Sequence, residues 1–175
     1  LYSILGGEYK GRFGDNYAEW IGSHFAIPIK EYEQLAKVFN PIYFDADEII
    51  SLAKECGMKY FVVTTKHHDG FALWPSKYSK YSVADTPWKD GKGDVVRLFV
   101  DACRKYDIKV GLYYSPAQFG SNKMNGKEYD DYFINQISEL LTNYGKIDYL
   151  WFDGCGSEGH NYDTVRIVKA IRECQ

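Results

Sequence analysis

Asp153 follows the apolar run Tyr149-Leu150-Trp151-Phe152 and precedes Gly154. A carboxylate in that place has two readings. It can cap a helix or brace a loop, the commoner use of Asp at a strand end. Or it can face a ligand from a sheet rim, where an ionised oxygen serves as nucleophile or base. His67-His68-Asp69-Gly70 forms a second cluster, again after an apolar run. Neighbouring side chains of an extended chain point to opposite sides, so both imidazoles reach one pocket only if the backbone bends, and Gly70 offers the place. Such a pair can ligate a metal, hold sugar hydroxyls, or be structural. A metal centre needs further ligands, for which Asp69, Asp153 and His160 are available, but the spacing matches no helical metal motif. Glu19-Trp20, Trp74, Tyr114 and Trp151 make a third group. An indole face stacks on the C–H side of a pyranose. Any one of these is more often core than site; proximity to strand-end polar residues favours Trp20 and Trp151.

The elements that must position these groups follow one rhythm from about residue 45. Asp45 caps a helix in which Ile49, Leu52, Ala53 and Cys56 recur at helical spacing, and Gly57 stops it. The run 59–65 is short, β-branched and aromatic, as a strand buried on both faces reads. Asp94 caps the next helix, with Val95, Leu98, Phe99, Ala102 and Tyr106 inward. A strand is expected at 108–114 and a helix over 128–144 carrying Tyr132, Phe133, Gln136, Ile137, Leu140 and Leu141. A third strand at 147–152 precedes a helix from about Tyr162 with Val165, Val168 and Ile171. This alternation implies right-handed crossovers and a parallel sheet. No glycine-rich phosphate motif follows any strand, whereas polar residues end each one, the habit of a TIM barrel. Residues 1–44 read as a long loop with a short helix at 29–39.

Composition narrows the field. Aromatics make up 17% of 175 residues, which excludes a disordered or coiled-coil chain. The net charge of −3 without a basic block speaks against nucleic acid. No apolar run reaches the roughly 20 residues that span a bilayer, so no membrane partner is expected. Cys56, Cys103, Cys155 and Cys174 form no C-x-x-C pair and read as buried free thiols.

Four stretches together resemble glycoside hydrolase family 29, the α-L-fucosidases. They are Ala18-Glu19-Trp20; the block from Tyr60 to Trp74 with Lys66-His67-His68-Asp69-Gly70-Phe71 at its centre; Gly111-Leu112-Tyr113-Tyr114-Ser115; and Leu150-Trp151-Phe152-Asp153-Gly154. The resemblance covers nearly the whole chain. It implies an α/β fold that is a partial (β/α)8 TIM barrel, the N-terminal half with the first strand missing. Residues 1–44 would be an active-site loop region and 45–175 three βα units of one catalytic domain. The implied activity is that of a retaining exo-glycosidase releasing α-L-fucose by double displacement. Asp153 would be the nucleophile, His67 and His68 would bind fucose hydroxyls, and Glu19, Trp20, Tyr114 and Trp151 would line the same subsite. No metal or cofactor is implied. The partner would be a fucosylated oligosaccharide or glycoprotein glycan, in a periplasmic, secreted or lysosomal setting. The first barrel strand is expected just before Leu1 and the acid/base glutamate beyond Gln175, with Glu19 the one alternative within the chain. The 175 residues alone are therefore expected to be inactive. Cys155 stands where the family usually has alanine, and Pro75 where a polar residue is common, which would reshape a rim loop. Two rival readings remain: a non-catalytic fucose-binding relative keeping His67, His68 and Trp20, and a metal-dependent TIM-barrel hydrolase using His67, Asp69, Asp153 and His160.

Overall fold

Residues 1–44 carry little regular structure. A computed structural model, which describes residues 1–14, 17–118, 126–154 and 159–175, gives them short elements. These are α1 (Tyr2–Leu5), a hairpin of β1 (Glu8–Tyr9) and β2 (Arg12–Phe13), a 3-10 turn at Ala18–Trp20, α2 (Ile21–His24) and α3 (Ile29–Tyr32), which runs into a 3-10 stretch over Glu33–Val38. The hairpin went unread in the sequence. Its turn is Lys10-Gly11, both at positive φ, the geometry that matches the twist of paired strands.

The remainder follows the expected alternation. Asp45 caps α4 (Ala46–Glu55) by accepting from the amides of Asp47 and Glu48. Strand β3 is Tyr60–Lys66. Asp94 caps α5 (Val95–Lys105) by accepting from Arg97 N, and β4 (Lys109–Tyr114) follows. Then come α6 (Gly126–Asn143), β5 (Tyr149–Phe152) and α7 (Thr164–Cys174), capped by Asp163.

The three longer strands pair in parallel in the order β3-β4-β5. Register then fixes which side chains share a face, because paired residues point the same way. Phe61 pairs with Val110, Val63 with Leu112, Leu112 in turn with Leu150, and Tyr114 with Phe152. On this face Phe61 stacks on Phe99 of α5, and Tyr114 stacks on Phe133 of α6. Both crossover helices therefore cover one side of the sheet, unlike a doubly wound sheet with a helix layer on each side. The opposite face carries Val62, Gly111 and Tyr149, then Thr64, Tyr113 and Trp151. It is open: Tyr149 and Trp151 are 51% and 53% exposed. Three strands do not close a barrel, and the expectation of strands buried on both faces fails for that reason.

Two helix faces also differ from expectation. In α4 the buried residues are Ala46, Ile50 and Ala53, while Ile49, Leu52 and Cys56 are exposed. In α7 Ile167 is buried, and Val165 and Val168 are exposed. Each helix carries two neighbouring apolar stripes, and the one that turns inward is the one facing α5 or α6. Cys103 is buried as expected, and Cys155 lies outside the described residues. No helix among the described residues is long and apolar enough to cross a membrane.

The sheet–helix layer carries the stability. Leu112, fully buried in the central strand, should cost about 2–5 kcal/mol when replaced by Ala. Leu52→Gln, on the exposed stripe of α4, should stay within about 0.5 kcal/mol of wild type. Urea denaturation of both variants checks the assignment of faces.

Candidate active site

A bulge creates the site. The β3–β4 register slips between Thr64 and Lys66, so Thr64 pairs with Tyr113 and Lys66 with Tyr114. One extra residue reverses the alternation beyond it. Lys66 is thereby turned into the helix layer, and the next residue, His67, emerges on the open face, where it stacks on Tyr113 at 5.8 Å and 10°. The chain then bends through His67–Gly70. Gly70 N donates to His67 O at 3.0 Å, and Gly70 adopts φ +78°, which suits glycine. Asp69 holds the bend by accepting from Phe71 N at 3.2 Å and Tyr32 Oη at 3.3 Å; the backbone nitrogen of Leu1 also contacts it.

This bend brings His68 back beside His67, with ring centroids 4.1 Å apart. Trp20 covers it from the other side at 4.7 Å. Ser115, just past β4, fixes the ring's tautomer. Its hydroxyl donates to Ala117 O at 2.6 Å and so meets His68 Nδ1, 2.5 Å away, as an acceptor. Nδ1 carries the proton, and in the neutral ring Nε2 is the acceptor. Nε2 lies 3.6 Å from Asp153 Oδ2. The Tyr113 hydroxyl donates to that same oxygen at 2.7 Å. Ligand atoms of His67, His68 and Asp153 all lie within 4.8 Å of one another.

Burial lowers the pKa of both imidazoles. The charge of His68 lowers His67 further, while Asp69, Asp153 and Glu19 oppose the shift. For His68, Asp153 and the Ala117 carbonyl oppose it. The pair is thus biased toward neutral rings beside a carboxylate. Among the described residues, His67 Nδ1 is buried without a hydrogen-bond partner.

Of the residues singled out from the sequence, His67, His68, Asp153 and Trp20 come together. Glu19 lies beside Trp20 in the same 3-10 turn, and its charge reaches His67. Trp151 sits on the open face, in register with Tyr113 and two residues before Asp153. Tyr114 does not reach the site. It is fully buried under α6 with its hydroxyl on Gln136 Oε1 at 2.7 Å, because it shares a face with Val110 and Leu112. Tyr113 takes the place expected of it. Alternation along the apolar run Val110-Gly111-Leu112 was the signal that would have chosen between them. Trp74 is core, donating to Glu139. Asp69 is committed to the bend and His160 to Asp130 at 3.0 Å, so the metal set proposed from sequence is not assembled. A cavity of about 680 Å³ lies between Tyr32, Tyr78, Tyr81, Gln118 and Tyr132. It touches Asp69 but none of the other site residues, so its size does not mark the chemistry.

A carboxylate held by a tyrosine hydroxyl and flanked by two histidines thus lies at the C-terminal ends of parallel strands, where α/β enzymes place their chemistry. The family model for alpha-L-fucosidase matches residues 4–174. Alpha-L-fucosidase 1 of Arabidopsis thaliana is 41% identical over 124 residues, covering 70% of this chain and 24% of that protein. Human plasma alpha-L-fucosidase is 29% identical, over 83% of this chain and 32% of its own. Among solved structures, unliganded alpha-L-fucosidase AlfC from Lactobacillus casei superposes with a TM-score of 0.84 at 39% identity, covering 99% of this chain and 61% of that one. An aspartate-to-alanine variant of AlfC in complex with Fucα(1,6)GlcNAc superposes at 0.82 with 40% identity, over 99% and 62%. This chain belongs to the alpha-L-fucosidase family. It spans about a quarter of the length of the plant relative and under two thirds of the AlfC chains.

The shifts of His67 and His68 set a pH dependence. Unfolded imidazoles take up protons near pH 6.5, and the folded ones do so at lower pH. The unfolded chain therefore binds more protons in that window, and stability should fall as pH drops through about 6.5. Chemical denaturation from pH 7.5 to 5 should show this loss, and His68→Gln should flatten it. An unchanged slope would refute the buried, neutral assignment.

Proposed function

We propose that this chain forms the nucleophile-bearing part of a retaining α-L-fucosidase, with Asp153 attacking the anomeric carbon of α-linked L-fucose. The observation that carries the reading is the Asp153 carboxylate, held by Tyr113 and facing His68 Nε2, with His67 completing the hollow. AlfC, which shares this fold at about 40% identity, is known with Fucα(1,6)GlcNAc bound to an aspartate-to-alanine variant. The substrate is a fucosylated oligosaccharide or glycoprotein glycan.

In this reading the neutral imidazoles hold fucose hydroxyls. His68 offers Nε2 as an acceptor, since Nδ1 is committed to Ser115, and that orients the donated proton of a sugar hydroxyl. Trp20 and Trp151 present aromatic surface to the sugar ring and its C6 methyl, whose burial is worth about 1 kcal/mol. Glu19 joins the rim beside Trp20. The Tyr113 hydroxyl stabilises Asp153 as an anion and keeps it ready for attack. Retention requires a second carboxyl group about 5–5.5 Å away, which protonates the leaving oxygen and then activates water. The resemblance assigns that role to a glutamate later in the parent protein, with Glu19 as the alternative here. The singly wound sheet with helices on one face is the arrangement of a TIM barrel. The open face of Val62, Tyr113, Tyr149 and Trp151 would be its interior.

In the full-length protein, Asp153→Gly should reduce turnover of 4-nitrophenyl α-L-fucopyranoside on the order of 10⁴-fold. Azide, small enough to occupy the vacated space, should restore part of it. Near-normal activity of that variant would end the proposal. Tyr113→Phe removes a hydrogen bond to a charged oxygen, worth about 1.5–3 kcal/mol. The acidic limb of its kcat/KM profile should move to higher pH, since the ionised form of Asp153 loses a donor.

A further inference from the structure

Lys66 is fully buried in the layer between the sheet and α6. Among the described residues no carboxylate lies within salt-bridge distance of its ammonium. Burial lowers its pKa to about 7, with Asp69 opposing. Isolated buried ammonium groups are costly, and a methionine would fill similar space without that cost. What the ammonium does engage is specific. Nζ donates to Gln118 Oε1 at 3.1 Å and sits over the faces of Tyr114 at 4.3 Å and Tyr132 at 5.4 Å. The Lys66 carbonyl accepts from Ser115 N at 2.9 Å. The other end of Gln118 lies against the bend: a Cβ on Gly70 would meet Gln118 Cδ at 2.7 Å.

These contacts close a loop. Lys66 opens the His67–Gly70 bend, and Gln118 lies just past Ser115, which meets His68 Nδ1, and Ala117, whose carbonyl bonds Ser115 and the His68 ring. We propose that the Lys66 ammonium is a positioning group for His68: it clamps Gln118 onto the Gly70 bend, and so holds Ser115 and Ala117 in place on the imidazole. The cation–π contacts with Tyr114 and Tyr132 aim the amine, and the bulge places it on that side of the sheet. The effect of Lys66 passes through the tautomer and tilt of His68, whose protonation its charge also opposes. The inference rests on the reading of His68 as a substrate-holding group.

The test is Lys66→Met in the full-length protein, with Gln118→Ala as a second variant in case the first folds poorly. Lys66→Met should lower kcat on 4-nitrophenyl α-L-fucopyranoside by about 10- to 100-fold, the cost of small misplacement. Its melting temperature should be unchanged or higher, because a desolvated charge has been removed. The ¹⁵N spectrum of His68 should change from a single Nδ1–H tautomer to a mixture, and Gln118→Ala should shift both readouts the same way. The proposal is overturned if Lys66→Met keeps the single tautomer, whether activity is retained or is lost together with stability. Should the wild-type protein fail to turn over the fucoside, the functional reading falls, and the tautomer measurement still decides the part played by Lys66.

Discussion

The chemistry of this chain depends on which side of a three-stranded sheet each side chain faces. The helices bury one face with Phe61, Val63, Val110, Leu112, Tyr114, Leu150 and Phe152, and leave the other open. A regular strand would have sent Lys66 to the open face and His67 into the apolar layer. The slip between Thr64 and Lys66 exchanges them. One unpaired residue in a ladder thus decides that an imidazole meets Tyr113 and that an amine is surrounded by tyrosine rings.

Electrostatics completes what the bulge begins. Two imidazoles 4.1 Å apart would repel each other if both were charged, and burial already disfavours either charge. Ser115 sets the tautomer of His68 from behind, so the ring presents its acceptor toward the carboxylate side. Tyr113 gives Asp153 a donor. The carboxylate and the imidazole therefore converge on a common hollow as two acceptors, which the hydroxyl donors of a hydroxyl-rich ligand would satisfy.

Much of this was legible in the sequence, and the failures have a common cause. The capping aspartates Asp45 and Asp94, the three parallel strands and the helix over 126–143 follow from local spacing. His67, His68 and Asp153 stand out as polar residues at the ends of apolar strands. What escaped depends on which neighbour is present. The inward stripe of α4 was misplaced because two stripes compete and α5 chooses. Tyr113 and not Tyr114 reaches Asp153 because the parity of β4 turns Tyr114 toward α6. The bulge leaves no mark in composition, and nothing in the local spacing sends Lys66 to the helix side. The Lys10-Gly11 hairpin was readable from its turn residues, but its two-residue strands fall below any periodic signal.

The strand order has a kinetic corollary. Each strand pairs with the one made just before it, Val62 with Gly111 and Gly111 with Tyr149. Each closure needs only a single intervening helix, so the sheet can grow in the direction of synthesis without waiting for distant sequence. The cost of that order falls on its newest strand. Among the described residues β5 presents an unpaired edge beside half-exposed Tyr149 and Trp151, and it is there that a nascent chain of this kind is most open to capture by a chaperone or by another copy of itself.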